Sequence, residues 1–186
     1  MRFVFCEQKN NADGEMVRYT NNTVTSVTRW TVDTSKVTDM SCAFQDARAL
    51  KSIDLSNFDT SAVTDMHYMF SVCQVLSSID VTKFNTSNVT SMEGMFNGCK
   101  NLPALNLSNF NTSKVMKMVR MFSNCRNLAS LNLSKFDMSN VTDTSGMFES
   151  DAKLKTVYID KEDEKLLAVL PGGVWTYFGG AYHLVT

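Results

Sequence analysis

A single 26-residue pattern repeats through most of this chain and constrains its fold more than any other feature. The pattern is clearest in residues 76–101, which read LSSIDVTKFNTSNVTSMEGMFNGCKN. When the sequence is shifted by 26 residues it matches itself without an insertion, and five phenylalanines, five valines and five leucines fall in register. The three series are Phe44, Phe70, Phe96, Phe122 and Phe148; Val37, Val63, Val89, Val115 and Val141; and Leu50, Leu76, Leu102, Leu128 and Leu154. A fixed period of this length is typical of repeat proteins in which each unit packs on the next.

Each unit divides into two parts with different hydrophobic spacing. Residues 102–107 (LPALNL) predict a short strand with its leucines on one face. In the other part, Val89, Met92, Phe96 and Cys99 follow each other at intervals of three and four, which predicts one or two helical or 3₁₀ turns, with a second short strand as the alternative. We therefore predict an α/β repeat solenoid. It would be a leucine-rich-repeat-like stack of five 26-residue coils, each a short parallel strand followed by a short helical or irregular segment.

The segments on either side of the repeats depart from the pattern. Residues 1–23 do not match it and are predicted to be an N-terminal cap or the remnant of a preceding segment, while residues 24–159 form the repeat region. Residues 160–186 are predicted to be a C-terminal cap, with a helix over 160–170 and a hairpin that turns at Gly179-Gly180. We expect this cap to cover the last repeat and to block edge-to-edge strand pairing.

Composition excludes several classes of partner. The net charge of −1 gives no reason to expect a nucleic acid, and no apolar run approaches the ~18–20 residues of a membrane span. The chain therefore predicts no membrane insertion in this segment. Its first residues contain an apolar patch too short for a signal peptide, so an export signal is not expected within the chain.

The five cysteines predict packing rather than metal binding. Cys73, Cys99 and Cys125 share one repeat position, which Asp151 occupies in the last unit. We expect buried free thiols there, because three equivalent thiols cannot all pair. Neither a C-x-x-C motif nor a Cys/His cluster is present, so we expect neither a metal site nor a cofactor.

The repeat motif resembles the BspA-like leucine-rich repeats of bacterial surface proteins and lipoproteins. Residues 50–76 (LKSIDLSNFDTSAVTDMHYMFSVCQVL) carry the resemblance most fully, and it extends over roughly residues 24–159, with departures at Ala43, Met116, Lys117 and Thr144. The resemblance implies a curved leucine-rich-repeat solenoid, located on the cell surface or secreted, that adheres to a protein or carbohydrate of a host or neighbouring cell. It implies neither a fixed ligand nor catalytic residues.

The predicted strands present a column of polar residues that is our first candidate binding face. Alternate residues of a strand face opposite sides, so those between the buried leucines face outward. The column consists of Asp54, Asp80, Asn106, Asn132 and Tyr158. Its short polar groups suit a carbohydrate or an extended peptide better than an apolar ligand, although any exposed strand needs polar residues for solubility alone.

A basic patch is the second candidate. Lys114, Lys117 and Arg120 lie in a stretch without acidic residues and could hold a sulfated glycan or another polyanion, with an ordinary solvated face as the alternative.

Catalysis has little support in the sequence. His67 and His183 are the only histidines, and their spacing to serine, cysteine or acidic residues supports no nucleophile–base arrangement. We predict a monomeric, non-enzymatic binding or adhesion module. A structural spacer without a ligand is the main alternative, an enzyme would require a deep pocket with titratable groups, and ice binding would use the repeated threonines. Those threonines are Thr34, Thr60, Thr86 and Thr112.

Overall fold

Short strands and turns make up the part of the chain that this computed structural model describes, residues 7–10, 16–19, 24–28 and 33–185. The elements in chain order are β1 (Glu7–Asn10), β2 (Met16–Tyr19), β3 (Ser26–Val27), β4 (Ser52–Ile53), β5 (Ala104–Asn106), β6 (Ser130–Asn132), β7 (Thr156–Tyr158), α1 (Glu164–Leu167), β8 (Val174–Phe178) and β9 (Ala181–Val185). Strands β1 and β2 form an antiparallel pair, and β3 and β4 form a parallel pair. The largest sheet has five strands in the order β5-β6-β7-β9-β8, with β5, β6 and β7 parallel and the last two strands antiparallel.

The predicted α/β leucine-rich-repeat solenoid is wrong. Within the described ranges the repeat units contain no helix, and the one helix, α1, has four residues and follows the repeats. The strands of the described ranges form one antiparallel pair, one parallel pair and the mixed five-stranded sheet. The segments predicted to be helical are series of turns.

The acceptors of the backbone amides explain why the segments predicted to be helical are turns. In the turn segments every second amide donates to the neighbouring unit, as Phe70 does to the Met95 carbonyl at 2.9 Å, instead of to a residue four positions earlier. The amides between them donate three residues back, as Met95 does to Met92 at 3.2 Å. A helix needs every amide for its own ladder. The intervals of three and four between buried side chains therefore come from successive turns.

Side chains in register from unit to unit form the core. The five phenylalanine rings are stacked, with neighbouring centroids 5.3, 5.7, 6.1 and 5.4 Å apart. The cysteines at the shared repeat position are buried free thiols, as predicted, and the Cys99 Sγ donates to the Phe70 carbonyl at 3.2 Å. Burial raises the pKa of the Cys73 thiol to about 12. Met92, Phe96 and Cys99 of the repeat pattern are therefore core side chains.

The repeated threonines are also buried, so the ice-binding alternative is wrong. Thr34, Thr60, Thr86 and Thr112 are each at most 1% exposed. The Thr86 hydroxyl donates to the Asn111 carbonyl at 3.0 Å and accepts from the Asn111 amide at 2.8 Å. These hydroxyls satisfy backbone groups of the next unit and present no surface to ice.

The C-terminal segment contains the predicted hairpin, which turns at Gly179-Gly180 and places β9 against β7. The helix is shorter than predicted and begins later, because Asp163 caps it by accepting from the Leu166 amide at 3.0 Å. The hairpin covers β7 and leaves β8 as an edge of the described sheet, and the expectation that the cap blocks edge pairing stays a prediction. The division at residues 23 and 159 stays a prediction. The first repeat has Arg29 and Val32 where later repeats have leucine or valine and phenylalanine, which predicts a weakened first strand, and both residues lie outside the described part of the chain.

Candidate ligand-binding face

One side of the five-stranded sheet faces away from the core, and we call it the outer sheet face. Strand register places its residues in two rows of five. The first row is Ala104, Ser130, Thr156, His183 and Thr176, and the second is Asn106, Asn132, Tyr158, Ala181 and Phe178. Leu105, Leu131 and Val157 alternate with these residues along the strands and are buried. The ten residues of the outer sheet face include no carboxylate, lysine or arginine.

Three residues of the predicted column come together on this face. Asn106, Asn132 and Tyr158 are direct register partners on β5, β6 and β7, so neighbouring side chains start about 4.8 Å apart. Asp54 directly follows β4, and Asp80 lies outside the named strands. These two carboxylates line a separate small cavity of 140 Å³ together with Lys83. The predicted column thus has an acidic part and a neutral part.

The polar side chains of the column also stabilise turns by accepting hydrogen bonds from backbone amides, a role that sequence reasoning missed. The Oδ1 atoms of Asp54 and Asp80 accept from the amides of Ser56 and Thr82, both at 2.9 Å. Hydrogen bonds from these same two residues, first from the side chain and then from the backbone, lower the pKa of Asp54 and Asp80.

Asn106 and Asn132 hold the equivalent turns. Each accepts through Oδ1 from the amide two residues later at 3.1 Å, and Asn132 also accepts from the Ser134 hydroxyl. These bonds fix the side-chain rotamers. They use the amide oxygen, and within the described residues no protein acceptor binds either Nδ2 group. The two asparagines therefore present oriented donors on neighbouring strands.

The C-terminal hairpin adds aromatic groups to the outer sheet face. The ring of Phe178 is 60% exposed and stacks on the His183 ring with centroids 4.0 Å apart. Tyr158, 47% exposed, lies in the same row as Phe178, and Ala181 between them is buried. The sequence indicated a hairpin but not its register on β7, so Phe178 and His183 could not be assigned to this face in advance.

The side chains of the basic patch interact with polar groups of adjacent units. The Lys114 Nζ donates to Asn88 Oδ1 at 2.9 Å, and the Arg120 Nε lies 3.6 Å from a Glu149 carboxylate oxygen. The backbone of Lys117 forms an isolated parallel β-bridge with that of Asp143. The pKa of Asp143 is lowered chiefly by hydrogen bonds from Ser145 and further by the Lys117 charge. The acidic residues come from the following unit, so a window along the sequence does not show them beside the patch.

A cavity of 540 Å³ lined by several titratable residues lies beside α1. Four of its titratable groups have structural partners: Lys135 pairs with Asp160 at 2.9 Å, Asp137 accepts from the Ser139 amide, and Asp163 caps the helix. This arrangement holds the last repeat against the C-terminal segment.

Asp151 is the most perturbed carboxyl in the described part of the chain. It occupies the cysteine position of the last unit, is 1% exposed, and lines a 340 Å³ cavity with Phe148 and Leu184. Its Oδ1 accepts from the Cys125 amide at 2.8 Å, while its Oδ2 is buried without a partner among the described residues. Burial raises the pKa of Asp151 to about 7, and the Cys125 hydrogen bond only partly opposes this.

His67 is partly buried beside Asp65, with its Nδ1 2.8 Å from Asp65 Oδ1. Residues 7–10, 16–19, 24–28 and 33–185 hold no cluster of three metal-ligating side chains. Across those same ranges no helix combines the length and the apolar character that a bilayer crossing requires.

A protein-family model described as Mycoplasma protein of unknown function, DUF285, matches residues 14–103 and 73–163. The chain belongs to this family. The two DUF285 matches overlap and together span all the repeats, and the family is related to BspA-like surface repeat proteins. No curated protein matches the chain, and no solved structure does. Membership in DUF285 therefore assigns neither a ligand nor an activity to the chain.

Proposed function

We propose that this protein is a non-enzymatic binding module of a bacterial cell surface and that it binds a neutral glycan through the outer sheet face. The surface location rests on the likeness of its repeats to the BspA-like proteins. The binding role rests on one observation, the oriented amides of Asn106 and Asn132 beside the exposed rings of Tyr158 and Phe178.

The chemistry of the face supports a glycan over other ligands. Sugar hydroxyls need hydrogen-bond donors and acceptors at close spacing, and the Nδ2 groups on neighbouring strands provide donors about 4.8 Å apart. Exposed aromatic rings give a flat apolar surface for the C–H face of a sugar. The absence of carboxylates, lysines and arginines from the ten residues of the face favours a ligand without charge.

The decisive experiment compares variants that keep the turns but change the exposed group. In Asn106→Asp/Asn132→Asp, Oδ1 still accepts from Ser108 and Ser134, while each Nδ2 donor becomes a carboxylate oxygen. The matched control, Asn85→Asp/Asn111→Asp, makes the same change at turns away from the sheet, where Oδ1 accepts from Ser87 and Ser113.

Wild type and both variants are applied to an array of neutral and sulfated glycans and to immobilised extracellular matrix proteins and mucin. We expect wild type and the control to bind neutral glycans, and the Asn106→Asp/Asn132→Asp variant to bind roughly tenfold or more weakly, since two donors are lost. Equal binding by all three proteins contradicts the assignment to this face. Binding only to sulfated glycans points to the basic patch instead.

A structural spacer is the second candidate, because one observation favours it. The four polar members of the column, Asp54, Asp80, Asn106 and Asn132, all hold turns, which is sufficient reason for those residue types. A spacer predicts that wild type binds no glycan or protein on the array and that it keeps its length and stability in the variants.

A further inference from the structure

Strand β8 is an unpaired edge of the five-stranded sheet. It pairs with β9 on one side, and within the described residues no strand pairs with its other side. The Leu184 amide of β9 donates to the Lys155 carbonyl beside β7. The residues of β9 on either side of Leu184, including His183, therefore direct their peptide groups to β8. His183 is the register partner of Thr176. Peptide groups alternate in direction along a strand, so those of Trp175 and Tyr177 face the free edge.

This edge lacks the features by which proteins protect their sheet edges. Natural edges use charged side chains, proline, bulges or very short strands. Residues 174–178 read VWTYF, contain no charge and no proline, and form one of the two longest strands described. Val174 and Phe178 at its ends are 68% and 60% exposed. The edge is apolar and open to another strand.

We propose that β8 pairs with β8 of a second copy of this chain, antiparallel about a two-fold axis at Thr176. In this register Trp175 lies opposite Tyr177 of the second copy, and these are the residues whose peptide groups face the edge. Thr176 lies opposite its own copy, and Val174 lies opposite Phe178. Aromatic–aromatic, Thr–Thr and aromatic–β-branched pairs are all favourable across antiparallel strands, and no like charges meet. The sequence VWTYF is thus complementary to itself.

The pairing joins two five-stranded sheets into one sheet with a two-fold axis, in which the same surface of each copy is used. Five residues per strand bury less area than a permanent dimer needs. The dimer is therefore reversible and depends on protein concentration, in contrast to the monomer expected from sequence. The pairing does not depend on the proposed glycan, and it would place two outer sheet faces side by side.

Charge substitutions at the two-fold axis provide the first test, by sedimentation velocity from low to high micromolar protein. Thr176→Lys and Thr176→Glu each place like charges opposite one another in the dimer. Because the Thr176 side chain is exposed, neither substitution should disrupt the pairing of β8 with β9. Ala104→Lys, in the same row at the far end of the sheet, is the matched control. Circular dichroism verifies that each variant is folded.

We expect wild type and Ala104→Lys to dimerise with concentration and both Thr176 variants to stay monomeric. An equimolar mixture of Thr176→Lys and Thr176→Glu should dimerise again, because the opposite charges then meet across the axis. The proposal is overturned if wild type stays monomeric, if Thr176→Lys dimerises like wild type, or if the mixture stays monomeric.

A cross-link gives an independent test of the register. Residues at a non-hydrogen-bonded antiparallel position have Cα atoms about 4.5 Å apart, within the range of a disulfide. In a Cys6→Ser background, Thr176→Cys should form a disulfide-linked dimer on mild oxidation, and Ala104→Cys should form little. Equal cross-linking of the two variants, or none for Thr176→Cys, contradicts the proposed axis.

Discussion

The ring of Tyr68 packs across Gly94, one repeat further along the chain. The Tyr68 hydroxyl donates to Glu93 Oε1 at 2.6 Å, and a methyl group at Gly94 would lie 2.1 Å from Tyr68 Cε1. Both residues have a left-handed backbone, with φ of 53° at Tyr68 and 56° at Gly94. The same bond to Glu93 is the main reason that the pKa of Tyr68 is raised to about 12. Neighbouring units therefore contact each other through complementary side chains as well as through backbone hydrogen bonds.

Gly94→Ala should destabilise the protein by about 3 kcal/mol, measured by urea denaturation. The cost combines a left-handed alanine with displacement of the Tyr68 ring. Gly146→Ala is the control, since Gly146 has a φ of 63° but its added methyl would lie 3.1 Å from a Glu149 carboxylate oxygen and 3.3 Å from Arg120 Cγ, in place of a ring at 2.1 Å. It should cost about 1 kcal/mol. Equal losses for the two variants would show that the Tyr68 ring does not restrict Gly94.

Val72→Asn should stabilise the protein by about 1 kcal/mol. Val72 has a φ of 63°, which is unfavourable for a β-branched residue, while Asn124 has a φ of 61° at the same repeat position. The reciprocal change, Asn124→Val, should lower the free energy of unfolding by a similar amount. Loss of stability in Val72→Asn would mean that the valine side chain contributes more through packing than its backbone costs.

Phe96→Ala should cost roughly 3–5 kcal/mol of stability, because a large aromatic side chain is removed from a close-packed core. The Phe96 ring is fully buried between those of Phe70 and Phe122, with centroids 5.7 and 6.1 Å away. Phe178→Ala, at an exposed ring, should change stability by only about 0.5 kcal/mol. A thermal midpoint for Phe96→Ala close to that of wild type would refute the repeat register.

Asp151 should make stability fall as pH rises from about 4 to 7. Its pKa is about 7 in the folded protein against 3.8 for an ordinary aspartate, so over this range the folded state holds a proton that the unfolded state has lost. Its burial therefore costs up to roughly 4 kcal/mol above pH 7 and nothing below pH 4.

Asp151→Asn removes this titration and keeps an acceptor for the Cys125 amide. Denaturation of both proteins at several pH values should show the variant gaining stability over wild type as pH rises through this window. A difference between the two proteins that does not change with pH contradicts a protonated Asp151. Exposed aspartates with lowered pKa values, such as Asp54, lose their stabilising contribution only under more acidic conditions. That loss is the same in wild type and in Asp151→Asn.

The repeat spacing was sufficient to predict that Phe96 and Cys99 are buried, because the 26-residue period made their columns visible. It predicted neither the path of the backbone nor the burial of Thr86, whose column was considered as an ice-binding surface. Intervals of three and four are the same for a helix and for successive turns, and only the bonds to carbonyls about 25 residues away separate the two. Those partners lie in another unit, beyond any local pattern.

The candidate face was predictable only in part for a similar reason. Asn106, Asn132 and Tyr158 follow from the period, because parallel strands of successive units pair in register. Phe178 joins their row through the antiparallel pairing of β9 with β7, which depends on the length and path of the segment after Tyr158. The turn-holding role of the asparagines was local, and the Asn-x-Ser pattern at Asn106 and Asn132 was the available signal.

The central claim, that ligand binds the outer sheet face, is tested most directly by ¹H–¹⁵N NMR of the protein titrated with the best neutral glycan from the array. We predict that the side-chain amide signals of Asn106 and Asn132 shift, together with the backbone signals of Tyr158 and Phe178, while those of Asn85 and Asn111 stay unchanged. Shifts confined to Lys114, Lys117 and Arg120, or a spectrum that no neutral glycan changes, would contradict the claim.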